Sequence, residues 1–141
     1  MQNLQAQKQT VLLVPQTETS AQTVTANLDC KGHKSVDVCV IIGTQVNTNA
    51  VQPNVKLSES DDTVVTNFAD ITGLSTTALA ASGSVRFNVN LKKRKRYLKL
   101  TVNTGTATND DIKVAALAIF DRSDQSPSST SGFGNTVVKI V

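Results

Sequence analysis

The sequence predicts an all-β fold: a single-domain β-sandwich, jelly-roll-like, with extended terminal arms. Three observations predict it. Apolar and polar residues alternate with period two, most clearly at Val85, Phe87, Val89 and Leu91 and again at Leu98, Leu100 and Val102, as in a strand with one face in a core. The apolar runs are short, about eight in number, and separated by long polar connections, the pattern of a sandwich. The chain has 141 residues, which suits one domain able to bury a core without a metal or many disulfides. An immunoglobulin-like sandwich is the competing arrangement, but with no Trp in the chain the Cys-Trp-Cys spacing of antibody-type domains is absent.

The elements follow in order. Residues 1–10 are polar and Gln-rich and read as an N-terminal arm. The sandwich is expected over 11–120. Val11 to Val14 is a first strand, stopped by Pro15, and Val24, Ala26 and Leu28 alternate in the next. Val36 to Ile42 is the strongest apolar run. Asp37 interrupts one of its faces, so Val36, Val38 and Val40 are placed inward, with Cys39 and Ile41 against a second layer or a neighbouring subunit. Residues 44–54 have the Asn, Thr and Pro of a loop. Val55 and Leu57 begin another strand, Val64 and Val65 form a short strand or turn, and Phe68 and Ile71 anchor the segment to the core. Leu74 to Ala81 lacks an amphipathic period and reads mostly as loop. Val85 to Leu91 and Tyr97 to Val102 are strands. Ile112 to Phe120 has an alanine-rich centre that would fit a helix, but Ile112, Val114, Ala116, Ala118 and Phe120 alternate and favour strand. Residues 121–135 are a Ser-, Gly- and Pro-rich flexible linker. Residues 136–141, TVVKIV, form a C-terminal strand or arm. It either closes the domain's own sheet or adds to a neighbour's exposed edge.

Composition narrows the function. The formal net charge is +3, with one Tyr and four Phe; a nucleic-acid binder usually carries a broader basic surface, and scarce aromatics weigh against base stacking or a sugar platform. Carboxylates cluster at Glu59, Asp61 and Asp62 and again at Asp110, Asp111, Asp121 and Asp124. Patches of both signs suit protein–protein docking. Cys30 and Cys39 fit neither a Cys-x-x-Cys pair nor a zinc cluster; a cross-strand disulfide and two buried thiols are both open. No run reaches the length of a membrane span, and the start MQNLQAQKQT lacks the apolar core of a signal peptide.

No hydrolytic or redox constellation emerges, and no catalytic residue or cofactor is expected. His33 sits in a KGHK turn and reads as a solvated surface residue. Asp29 and Asp37 are near it in sequence, but nothing marks a serine as its activated partner. Glu59, Asp61 and Asp62 are a weak metal candidate, since their spacing does not meet a calcium-loop motif. The basic block Lys92, Lys93, Arg94, Lys95 and Arg96, with Tyr97 beside it, has three readings: a solvated hairpin tip, a docking patch for an acidic protein surface, or a weak nucleic-acid candidate with salt-sensitive phosphate binding. Together with that block and Tyr97, the docking candidates are Phe133, Val137, Val138 and Ile140.

Two stretches, VKLSESDDTVVTNFADITG (Val55 to Gly73) and VRFNVNLKKRKRYLKLTVN (Val85 to Asn103), resemble segments of small structural proteins of tailed-bacteriophage heads, the decoration or capsid cement class. The resemblance covers a third to a half of the chain. It implies that Leu57, Ser58, Glu59, Ser60 and Asp61 lie on a strand and its exit, and that Arg94, Arg96, Tyr97, Leu98, Lys99 and Leu100 lie on the partner strand. It implies a virion protein on the capsid surface, made in the host cytoplasm, without catalysis. Its partners would be the major capsid protein and neighbouring copies of itself in a homo-oligomer, trimers being common in the class. From the residues themselves no membrane partner is expected, and the small net charge and scarce aromatics weigh against nucleic acid. The denser basic block, the Ser-rich linker and the TVVKIV tail depart from the pattern. The alternatives are a head-to-tail connector or tail component, and a carbohydrate- or nucleic-acid-binding sandwich module.

Overall fold

The computed structural model describes residues 8–19, 22–45, 53–77, 83–104, 111–121 and 137–140. Its strands are β1 (Lys8–Thr19), β2 (Thr23–Asp29), β3 (Ser35–Gln45), β4 (Asn54–Ser60), β5 (Ala69–Ser75), β6 (Gly83–Asn90), β7 (Tyr97–Asn103), β8 (Asp111–Asp121) and β9 (Val137–Ile140). They form a five-stranded sheet, β1-β8-β3-β6-β9, and a four-stranded sheet, β2-β7-β4-β5. The pairings β1–β8, β2–β7, β3–β6 and β4–β5 are all antiparallel. The chain is thus one long hairpin, doubled at β4–β5 and rolled so that successive pairs fall on alternate sheets. That is the jelly roll, and the expected fold class holds.

The period-two reading explains the core. Val36, Val38, Val40 and Ile42 of β3, Val85, Phe87 and Val89 of β6, and Ile112, Val114, Ala116, Ala118 and Phe120 of β8 are buried on the inner face of one sheet. Val55 and Leu57 of β4 and Leu98, Leu100 and Val102 of β7 are buried opposite them. Phe87 and Phe120 are the largest fully buried side chains. The small alanines 116 and 118 leave room for such bulk between facing layers. The helical alternative for Ile112–Phe120 does not form.

Four expectations are corrected. Pro15 does not stop the first strand, because β1 runs on to Thr19. The strand lies at a sheet edge, and its register against β8 shifts between Leu13 and Gln16. An edge bulge accommodates a residue that has no N–H to give. The strand also begins at Lys8, inside the segment read as an arm. Second, Ala69–Ser75 is a strand, not anchors followed by loop. Its buried residues, Ile71 and Leu74, stand three apart because the ladder to β4 shifts between Lys56 and Ser58 and Gly73 adopts φ 86°. The shift sets five steps of β5 against two of β4, and the extra residues break simple alternation. Third, the basic block is not a hairpin tip. It joins β6 and β7, which belong to different sheets. Fourth, His33 is half-buried, its ring stacked 4.0 Å from Phe120. Val64 and Val65 resolve as the start of a short 3-10 turn, Val65–Asn67.

Candidate protein-docking surfaces

Two regions present unusual chemistry to the outside. The first is the end of the sandwich where β2 passes to β3, β4 to β5 and β6 to β7. Asn90 ends β6 and its side chain accepts from the Lys92 N–H at 3.1 Å, starting a 3-10 turn over Leu91–Lys93. Leu91 is buried there and anchors the crossover. Its N–H donates to the Lys34 carbonyl at 2.8 Å, and the Cys30 N–H donates to the Arg96 carbonyl at 2.9 Å. The β2–β3 turn, in which Gly32 takes φ 82°, is therefore bound at both ends to the basic segment.

Most of the basic block is engaged within the molecule. Arg94 faces Glu59 at 3.5 Å, and Lys95 reaches Asp61 at 3.2 Å. The Lys95 N–H also donates to Glu59 Oε2. Arg96 grips Asp29 with two parallel bonds of 3.0 and 2.7 Å and lies 4.7 Å over the Tyr97 ring. The Arg96 guanidinium, with the Lys31 N–H, holds the Asp29 carboxyl at about 2, well below its ordinary value. Only Lys92 and Lys93 of the block carry no ion pair among the described residues. The carboxylates read as a weak metal candidate are the acceptors in these pairs or turns. Asp62 accepts from the Val64 N–H and from Asn67 Nδ2, which keeps its carboxyl below the ordinary range. Among the described residues no group of three or more His, Cys, Asp or Glu could hold a metal ion.

The second region is the outer face of the five-stranded sheet. Val11, Val14 and Ile41 are exposed there at 60%, 62% and 56%, with Cys39, Ala115, Leu117 and Ile119 half-buried between them. The register sets Val11 beside Leu117 and Leu117 beside Cys39, with Ala115 beside Ile41. A cleft of about 500 Å³ opens along this face between Pro15, Ile41 and Ala115. Exposed Lys113 also lines the cleft, and the buried polar exception lies toward β6, where Asp37 accepts from Arg86 and from Asn88 Nδ2. Alternation along β3 points Cys39 and Ile41 outward, and the pairing of β1 with β8 brings Val11 onto the same face.

The remaining candidates are placed as follows. Val137, Val138 and Ile140 belong to β9, which pairs in parallel with β6 in the chain's own sheet. Phe133 and the linker lie outside the described residues. Cys30 and Cys39 are not disulfide-bonded and lie on different sheets' strands or exits. Burial pushes the Cys30 thiol up to about 12. No described helix is long and apolar enough to cross a membrane.

No family model matches the sequence, and no curated protein matches it. Among solved structures the chain is similar to the K3 cleaved adhesin domain of Lys-gingipain from Porphyromonas gingivalis, at 16% identity and TM-score 0.48, over 80% of this chain and 73% of that one. It is similar to the infectious bursal disease virus VP2 subviral particle, at 13% identity and TM-score 0.45, over 80% of this chain and 32% of that one. It is also similar to the CBM36-1 domain of a multidomain xylanase from the hindgut metagenome of Trinervitermes trinervoides, at 9% identity and TM-score 0.41, over 83% of this chain and 98% of that one. Structural neighbours thus include adhesin, viral capsid and carbohydrate-binding domains. Likenesses this remote assign neither ligand nor partner.

Proposed function

We propose that the protein is a non-enzymatic virion structural protein that binds and stabilises the outer surface of a capsid shell. The observation that carries this reading is the apolar outer face of the five-stranded sheet. Apolar surface gathered on one sheet face of a water-exposed domain marks a contact with another protein. Val11, Val14 and Ile41 supply it without supporting the fold, since the core lies on the opposite side of the same strands. The resemblance to capsid cement proteins points to the occupant, the major capsid protein. The two stretches that carry it fall largely on β4 and β7, which pair directly, Leu57 opposite Leu100 and Ser58 opposite Lys99.

Cryo-electron microscopy of purified particles tests the reading. Density for the jelly roll on the shell exterior, with its five-stranded sheet against the capsid protein, is expected. An empty shell exterior, or density for this chain only in a tail, overturns it. Val11→Asp combined with Ile41→Asp should leave the protein folded and abolish its retention on shells.

A further inference from the structure

The ion pairs divide the basic block into two parts with different tasks. Arg94, Lys95 and Arg96 tie the crossover to Glu59, Asp61 and Asp29. Lys92 and Lys93 are exposed, as are Lys31 and Lys34 of the neighbouring turn. None of these four forms an ion pair among the described residues. They are far apart in sequence, yet the two segments are locked together by the Leu91–Lys34 and Cys30–Arg96 hydrogen bonds. The turn is closed by His33 N–H to the Cys30 carbonyl, and the 3-10 segment by Arg94 N–H to the Leu91 carbonyl, both 3.2 Å. Beside them is an open depression of about 530 Å³ lined by Asn90, Lys92, Lys93 and Arg94.

We infer that Lys31, Lys34, Lys92 and Lys93 form one composite recognition surface for a carboxylate-rich protein segment. The lysine-bearing backbone is fixed before binding, so little ordering cost remains beyond the side chains themselves. Four exposed cations on two segments tied to each other, of which only Lys31 feels a neighbouring carboxylate, Asp29, attract a multiply charged anion and accelerate its approach. A protein partner fits better than a nucleic acid for two reasons. The cations are bordered by Asp61, whose side chain is 76% exposed, and by exposed Asp62, a mixed-sign edge that opposes a continuous phosphate chain lying across it. The aromatic rings at this end are also occupied: Tyr97 lies under Arg96, and His33 is stacked on Phe120. No free ring there among the described residues offers a base a stacking platform. The inference deepens the shell-docking reading and rests on it for the partner's location alone.

The test measures binding of poly-L-glutamate by fluorescence anisotropy at low and physiological salt, with a mixed-sequence duplex DNA as a second arm. The variants are K31E/K34E, K92E/K93E and the control K113E at the far end of β8. Each double variant should weaken poly-L-glutamate binding by about tenfold or more, with K113E within about twofold of the parent. Lys→Gln versions of the same pairs keep the test valid where reversal disturbs the fold. If K31E/K34E binds like the parent, the composite surface is wrong. Tighter binding of DNA than of poly-L-glutamate at matched charge overturns the choice of a protein partner. A particle reconstruction without this chain on the shell overturns the shell reading and leaves the surface standing or falling on the titration.

Discussion

Along β8 and β3 of the five-stranded sheet, the outward positions include Ala115, Leu117, Ile119, Cys39 and Ile41. Along β2 and β7 of the four-stranded sheet, they are Thr25, Asn27, Asp29, Lys99 and Thr101. The inward positions of the two sheets are alike, nearly all aliphatic. Core packing therefore dictates one residue in two on both sheets and leaves the others open. A surface that only meets water would resemble the four-stranded sheet, as single scattered apolar residues need no cause. The five-stranded sheet instead gathers them, which is the distribution the proposed shell-docking face requires.

The largest expected effect tests whether inner and outer positions differ as claimed. Phe87→Ala should cost about 3–5 kcal/mol, because a fully buried ring leaves a cavity. Leu117→Ala, on the outer face, should cost less than about 1 kcal/mol. Urea unfolding of both variants checks the contrast, and equal losses would break it. A smaller but still large effect is expected at the polar exception. Asp37 is buried and accepts from Arg86 and Asn88. Asp37→Ala should destabilise by about 2–4 kcal/mol, since it takes the carboxylate from a half-buried guanidinium. Asp37→Asn should recover part of that loss, as the amide oxygen still accepts one bond.

A third expectation needs no substitution. Cys30 is buried, with its thiol pushed up to about 12 by burial and the neighbouring Asp29 charge. At pH 8 it should resist an aromatic disulfide reagent until the chain is unfolded, because the thiolate is the reacting species. Rapid labelling of Cys30 in the native protein, located by peptide mapping, would show that the end of β2 opens readily.

These contrasts also show where sequence was informative. Alternation placed Val36, Val38 and Val40 inward, as it placed the inward residues of β6, β7 and β8, because from Val36 to Ile42 the ladders of β3 to β6 and β8 run without a shift, as does that of β2 to β7. It failed at β5, where the irregularity at Gly73 spaces Ile71 and Leu74 by three, and at Pro15, where the end of β1 depends on whether the strand is central or at an edge. The outer apolar face was only half legible. Cys39 and Ile41 could be assigned to it from β3 alone, but Val11 required the β1–β8 pairing, more than a hundred residues apart in the chain. The basic block was misleading for a related reason. Its composition is visible in sequence, while the carboxylates that engage Arg94, Lys95 and Arg96 arrive from β2 and from β4 and its exit.

The smallest expected effect concerns those pairs, and it sharpens the view that the four-stranded sheet compensates its own charge. Asp29 has its carboxyl lowered from 3.8 to about 2, first by the Arg96 hydrogen bonds and then by the Lys31 N–H. The unfolded chain therefore binds this proton at a higher pH than the folded one does. The resulting stabilisation is fully present above about pH 4 and is lost as the pH falls through about 2. The pair is exposed, so its contribution is screened and small. Asp62 titrates in the same direction for its own reasons, and the acid limb of the parent alone cannot isolate Asp29. The difference between parent and Arg96→Gln can. Urea midpoints for the two should differ at pH 5 and converge as the pH approaches 2, with the gap at pH 5 narrowed by added salt. Parallel curves from pH 5 to pH 2 would mean that Asp29 is held down by the turn rather than by Arg96. The cation would then be available to a partner, and the division drawn within the basic block would fail at its most exposed pair.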